Sequence, residues 1–137
     1  LATKGLAMRL GHLGLNTYMI GDMNVPAIKE RDLLLISSGS GETQTIYDIV
    51  VIAKNNGSRI ALVTGNLESR MAKLADTVVE IKAPSKVKEV EGFKSIQPMT
   101  TLNEQCLSIF FDALVLKLME ELGETHDTMW GRHSNLE

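Results

Sequence analysis

Much of what marks a familiar chemistry is missing from this chain. Of its 137 residues one is cysteine, Cys106, which excludes an internal disulfide, and no Cys/His spacing suits a structural zinc. Cys106 itself reads as a small core residue, since nothing near it in sequence would activate a thiolate. A formal net charge of −3 and a pI near 5.6 lack the basic excess that general nucleic-acid binding needs. No uncharged apolar run reaches the roughly 18 residues of a membrane span. The nearest stretch, 107–119, is shorter and carries Asp112 and Lys117, so it reads as a buried helix. A signal-peptide pattern is absent as well, which makes the cytoplasm the expected compartment. There is no tandem repeat and no low-complexity tract.

What is present suits one compact domain, with 44% hydrophobic residues to build its core. Residues 1–13 predict a helix in which Leu6, Met8, Leu10 and Leu13 make apolar contacts and Gly14 is the stop. A β-prone run at 16–21 is followed by a loop broken at Pro26. Residues 32–37, Asp-Leu-Leu-Leu-Ile-Ser, form the continuous apolar run of a strand covered on both faces. Ile46, Ile49, Val50 and Ala53 then fall at i, i+3, i+4 and i+7, a helical stripe closed by Asn55, Asn56 and Gly57. The alternation repeats as strand 59–64, short helix 67–75 and strand 77–81, which implies right-handed βαβ units and a parallel sheet. Residues 82–98 are charged, contain the other two prolines, and read as a mobile excursion. A long helix from Leu102 to about Leu122 and a short tail complete the chain. That helix is apolar around most of its circumference between Leu107 and Met119. So small a domain can hardly cover every side of it, and a homo-oligomer is expected.

The turn after the first strand, Ser37-Ser38-Gly39-Ser40-Gly41-Glu42-Thr43, is richer in small polar residues than a turn requires. Open parallel sheets bind ligands at the carboxyl ends of their strands. The first turn of a helix offers unpaired N–H groups and a partial positive charge, which suit a phosphate. Glycines admit close approach, and hydroxyls donate further hydrogen bonds. The run lacks the lysine of a P-loop and matches no G-x-G-x-x-G. The plain alternative is a tight turn with a serine N-cap. Glu42 fits the helix dipole but should point away from a bound anion.

Ser37 to Thr43 resembles the sugar-phosphate-binding loop of the sugar isomerase (SIS) domain family. Residues 7–14 (AMRLGHLG), 32–43 (DLLLISSGSGET), 96–105 (IQPMTTLNEQ) and 129–137 (MWGRHSNLE) together resemble, within it, the 6-phospho-3-hexuloisomerases. The loop alone indicates only the SIS domain; the last two motifs narrow the resemblance. It implies an α/β fold with a parallel sheet flanked by helices, flavodoxin-like in its three α/β/α layers, and five strands in the family. It also implies assembly as a tetramer and interconversion of D-arabino-3-hexulose 6-phosphate with fructose 6-phosphate. That reaction belongs to the ribulose monophosphate pathway of formaldehyde assimilation, downstream of hexulose-phosphate synthase. Ser38, Gly39, Ser40, Gly41 and Thr43 would hold the substrate phosphate. The amino end departs from the family, which has a helix and then a central strand ending in a Gly-Arg-Ser-Gly loop. The chain begins Leu-Ala-Thr-Lys, not Met, within a helix. Residues 1–137 are thus expected to be a single SIS domain from a longer protein, lacking those two elements and leaving a gap in the sheet between 16–21 and 32–37. At 21–26 (GDMNVP) the family more often carries an acidic residue followed by Thr-Pro.

Moving a carbonyl between C3 and C2 through an enediol needs a base for the carbon-bound proton and an acid/base for the oxygen protons. Neither step demands a metal or another cofactor. The resemblance points to Glu104 as the carbon base, because SIS isomerases place a catalytic glutamate at the corresponding helix start. Local sequence offers another reading, a Thr101-x-x-Glu104 capping box. His133, in the Arg-His-Ser-Asn-Leu-Glu match, is the candidate for oxygen proton transfer, and the tail could reach a neighbouring subunit's site. His12 is its rival, paired at i, i+3 with Arg9, and His126 has no motif support. Arg9 either helps neutralise the phosphate or forms an ion pair. Met129 and Trp130 are expected to anchor the tail by burial. Two alternatives to this isomerase remain: a non-catalytic SIS-type sugar-phosphate sensor, and an isomerase of another sugar phosphate.

Overall fold

The computed structural model describes residues 1–84 and 95–136. Most of the expected excursion at 82–98 therefore lies outside the described residues. The elements in order are α1 (Ala2–His12), β1 (Leu33–Ser37), α2 (Gln44–Asn55), β2 (Arg59–Thr64), α3 (Arg70–Leu74), β3 (Thr77–Glu80), α4 (Thr101–Leu122) and α5 (His126–Trp130). They fall into two compact units, one of Ala27–Cys106 and one of Leu1–Pro26 with Leu107–Glu137.

The Ala27–Cys106 unit holds a three-stranded parallel sheet in the order β1-β2-β3. Leu34 pairs with Ile60 and Ser37 with Val63, while Thr64 pairs with Glu80, so the strands end along one edge. The fold class is α/β, a parallel sheet with helical crossovers. Its core is Leu34, Ile36, Val50, Ala53, Ile60, Leu62 and Met71, with Ile46 and Ile49 packed against it. The stripe predicted for α2 is therefore the face that meets the sheet. β1 departs from the two-faced burial expected of its apolar run. Leu34 and Ile36 are buried, Leu35 is half-buried, and Leu33 is exposed, an alternation set by the pleat. Asp76 joins the β2 and β3 entrances: its Oδ2 accepts from the Ile60 N–H (2.8 Å), and its own N–H donates to the Ile60 carbonyl (2.9 Å).

The other unit is helical. α1 ends in a Schellman motif, in which Leu15 N–H donates to the Leu10 carbonyl and Gly14 N–H to that of Gly11, with Gly14 at φ +82°. The predicted stop at Gly14 is thus the observed one. Leu6 and Leu13 are buried, whereas Met8, expected to make core contacts, is exposed. α4 buries Leu107, Phe111 and Val115 at four-residue spacing and exposes Ile109 and Leu116. The β-prone run 16–21 forms no strand. A strand exists only as one rail of a hydrogen-bonded ladder, and this segment has no ladder partner among the described residues. The sequence reading also missed α5. Thr125 and Thr128 close it with a reciprocal capping box, inside a stretch expected to be only a tail.

Candidate active site

At the carboxyl end of β1 the chain turns through residues 38–43 into α2. Gly41 N–H donates to Ser38 Oγ (3.1 Å) and Glu42 N–H to Ser40 Oγ (3.2 Å). The loop thus holds its own shape through the small side chains that made it conspicuous. Gly41 lies in the left-handed region at φ +65°, and a Cβ there would sit 2.1 Å from Ser69 Oγ. Both conformation and space require glycine.

A second loop, after β2, buttresses the first. Gly65 N–H donates to the Gly39 carbonyl (3.0 Å), Asn66 Nδ2 to that of Ser40 (3.3 Å), and Met71 N–H to that of Gly41 (3.3 Å). Thr64 and Ser69, which flank these contacts, are buried. Sequence reasoning singled out none of Thr64, Asn66 and Ser69. The available signal was their place: a polar run directly after the neighbouring parallel strand must lie at the same sheet edge.

Thr43 is the N-cap of α2, in extended geometry, yet its side chain makes no capping hydrogen bond. The alternative of a serine cap is therefore not realised. A capping threonine ordinarily accepts an N–H from the first turn. Here that bond is unmade, the arrangement a helix start needs if an external anion is to engage those N–H groups. Glu42 is drawn off toward α3. Its carboxylate accepts from the Arg70 N–H (2.8 Å) and Arg70 Nε (2.7 Å), while Arg70 Nη2 donates to the Glu42 carbonyl. The Arg70 guanidinium also lies 4.3 Å from the centre of the Tyr47 ring. The Arg70 backbone N–H first, and its guanidinium second, hold the Glu42 carboxyl below its ordinary pKa.

Glu104 is exposed in the first turn of α4, in the same unit as the loop. The capping-box reading of this residue is corrected. Thr101 is already helical, and its N–H and hydroxyl both donate to the Pro98 carbonyl (3.2 and 2.8 Å). The donor that a capping glutamate would take is engaged elsewhere.

His133 belongs to the helical unit, where it meets its supposed rival. The His12 and His133 ring centres are 5.1 Å apart, Trp130 stacks on His133 at 5.2 Å, and His126 stacks on Trp130 at 6.1 Å. All three histidines of the chain therefore stand in one row. His133 Nδ1 lies 2.9 Å from the Ser134 carbonyl; a carbonyl only accepts, so Nδ1 is the donor in that contact. Trp130 does not anchor the tail by burial, being 66% exposed; its ring serves as the middle of the stack. Arg9 makes the ion pair, with Asp112 at 3.2 Å. Among the described residues no group of three or more His, Cys, Asp or Glu side chains is placed to hold a metal ion.

A parallel α/β sheet with a serine- and glycine-rich loop opening a helix at its carboxyl edge defines a class, and the SIS domain model matches residues 14–109. The chain belongs to the SIS domain family. It is 41% identical over 137 residues to the 3-hexulose-6-phosphate isomerase of Bacillus subtilis, covering all of this chain and 74% of that protein. It is 39% identical to the protein of the same name from Mycobacterium gastri, covering all of this chain and 68% of the relative. A solved structure from Methanococcus jannaschii, from which a 3-hexulose-6-phosphate isomerase function was inferred, superposes with a TM-score of 0.85 at 29% identity, covering 99% of this chain and 72% of that one.

Proposed function

We propose that the protein is a 3-hexulose-6-phosphate isomerase that interconverts D-arabino-3-hexulose 6-phosphate and fructose 6-phosphate through an enediol. One observation carries the reading. In a chain 41% identical to an isomerase of that name, the loop at the carboxyl edge of the sheet leaves the Thr43 capping bond unmade at a helix start. Ser38, Gly39, Ser40, Gly41 and Thr43 hold the phosphate in this reading, with α2 contributing N–H groups and the favourable end of its dipole. The pairing of Glu42 with Arg70 supports it, because it engages the loop's own anionic side chain, which would otherwise oppose the ligand.

Glu104 takes the proton from C2 of the 3-ketose, giving the 2,3-enediol, and returns it to C3. His133 accepts the O2 proton as the C2 carbonyl forms and delivers a proton to O3. Atoms and charge balance within the substrate and these two side chains, so the step uses no redox partner. Residues 1–137 act as one SIS domain of a cytoplasmic homo-oligomer, a tetramer in this reading, for which the exposed Ile109 and Leu116 of α4 supply apolar surface. The substrate comes from an aldol addition of formaldehyde by hexulose-phosphate synthase.

The test offers fructose 6-phosphate to the purified protein and follows appearance of the 3-ketose by NMR. Turnover that Glu104→Gln abolishes, and that His133→Asn lowers about a hundredfold to a measurable residual rate, is the expected result. Binding of fructose 6-phosphate without turnover would replace the enzyme by a sugar-phosphate sensor, and turnover of a different sugar phosphate alone would move the substrate assignment.

A further inference from the structure

The chain end that carries His133 is held by a side-chain clamp. The Arg132 guanidinium makes a two-pronged pair with Glu124 (2.8 and 3.0 Å), and its Nη1 also donates to the His12 carbonyl (2.9 Å). That carbonyl belongs to the last turn of α1, where a helix leaves oxygens without intrahelical donors and favours a cation. Glu124 follows the carboxyl end of α4. Gly123 there has φ +67° and Glu124 N–H donates to the Met119 carbonyl, so the carboxylate projects from a fixed backbone. Thr128 Oγ1 donates to the same carboxylate. Gly14 lies beneath the guanidinium: a Cβ on it would be 3.4 Å from Arg132 Cζ, an ordinary van der Waals distance.

Arg132 thus joins the ends of two helices across 120 residues of sequence, and the next residue is His133. We propose that Arg132 and Glu124 are positioning residues that fix the His133 imidazole between the Trp130 and His12 rings, in the orientation its proton transfer requires. The inference rests on the role given to His133 under the proposed function. It is not a claim about stability. Exposed ion pairs contribute little to folding, and the Arg132 side chain is 41% exposed. Fixing one nitrogen against a reacting oxygen is where such a pair matters, because small misplacements of a catalytic group cost large factors in rate. Lysine would keep the charge but lose the planar fork that reaches Glu124 and His12 together.

The experiment measures isomerisation of fructose 6-phosphate by Arg132→Lys, Glu124→Gln, His133→Asn and the double variant Arg132→Lys/His133→Asn. Heteronuclear NMR of the histidine rings runs alongside. For Arg132→Lys and Glu124→Gln the expected result is a kcat about tenfold lower with KM within about twofold, together with shifted His133 ring signals. In the His133→Asn background Arg132→Lys should add no further loss, since its effect passes through the imidazole. An impaired His133→Asn beside a fully active Arg132→Lys would overturn the clamp and leave the function standing. A fully active His133→Asn would instead remove the role of His133, and the clamp with it. A rise in KM alone, or equal losses from Arg132→Lys with and without the imidazole, would also overturn it. If Arg132→Lys does not fold, Glu124→Gln carries the same comparison.

Discussion

The loop at 38–43 and the histidine row at 126–133 are held by different means. In the loop, most contacts run between main-chain groups or from a main-chain N–H to a nearby hydroxyl, and the buttress comes from the loop after the adjacent strand. In the row, position comes from ring stacking and from one guanidinium that reaches from Arg132 back to His12. The first is a backbone device, fixed wherever the β-α turn forms. The second is a side-chain device, and substitutions at its members can loosen it without unfolding anything. A site for an inert phosphate suits the first kind of construction. A group that must exchange protons suits the second, where a single side chain can be set without rebuilding the backbone.

The contrast breaks most sharply at two glycines. Gly41→Ala should destabilise the protein by about 3 kcal/mol, from a left-handed residue with a clash beneath it, seen as a lower urea midpoint. Thr43→Ala should raise KM for fructose 6-phosphate about tenfold yet move Tm by no more than about 2 °C, since there is no capping bond to lose. A Tm loss of the size usual for a missing cap, with KM unchanged, would return Thr43 to a structural role. Gly14→Ala costs about 1 kcal/mol by its backbone conformation, because the Arg132 contact there is at ordinary van der Waals distance. A loss as large as that of Gly41→Ala would erase the distinction between the regions.

The smallest effect concerns acid. Arg70 lowers the Glu42 pKa, Arg132 and then Thr128 lower that of Glu124, and Lys54 followed by the Ile60 N–H lowers that of Asp76. Each native carboxyl binds fewer protons than its unfolded counterpart. The stability they contribute is therefore present above the ordinary values of 4.5 and 3.8 and is lost as pH falls through the lowered ones. Urea midpoints should fall from pH 6 to pH 3, less steeply for Asp76→Asn and less steeply in high salt.

What sequence could reveal follows the same division. β2 was legible to the residue, and α2 and the Gly14 stop were legible because periodicity, chain punctuation and helix-end chemistry are properties of adjacent residues. The loop was legible because excess serine and glycine needed a reason. The 16–21 strand failed because a β-prone run is only half of a ladder. The capping box that local sequence offered as another reading at Thr101 and Glu104 meets a Thr101 N–H already engaged by the Pro98 carbonyl; the box at Thr125 and Thr128 lacks the usual glutamate and was passed over. The Arg132 contact with His12 spans 120 residues, and no local pattern announces it. Asn66 and Ser69 were hidden for a related reason, since their importance lies in the neighbouring loop.

The most direct test of the central claim, proton transfer at carbon by Glu104 in a phosphate-anchored sugar, is solvent exchange. Fructose 6-phosphate in deuterated water with the purified protein should acquire deuterium at C3, with exchange at C2 of the 3-ketose as it forms. Glu104→Gln should abolish both while still binding the sugar phosphate. Undiminished exchange in Glu104→Gln would contradict the assignment of the base, and ketose formation with no deuterium incorporated at short reaction times would contradict an enediol whose proton is open to solvent.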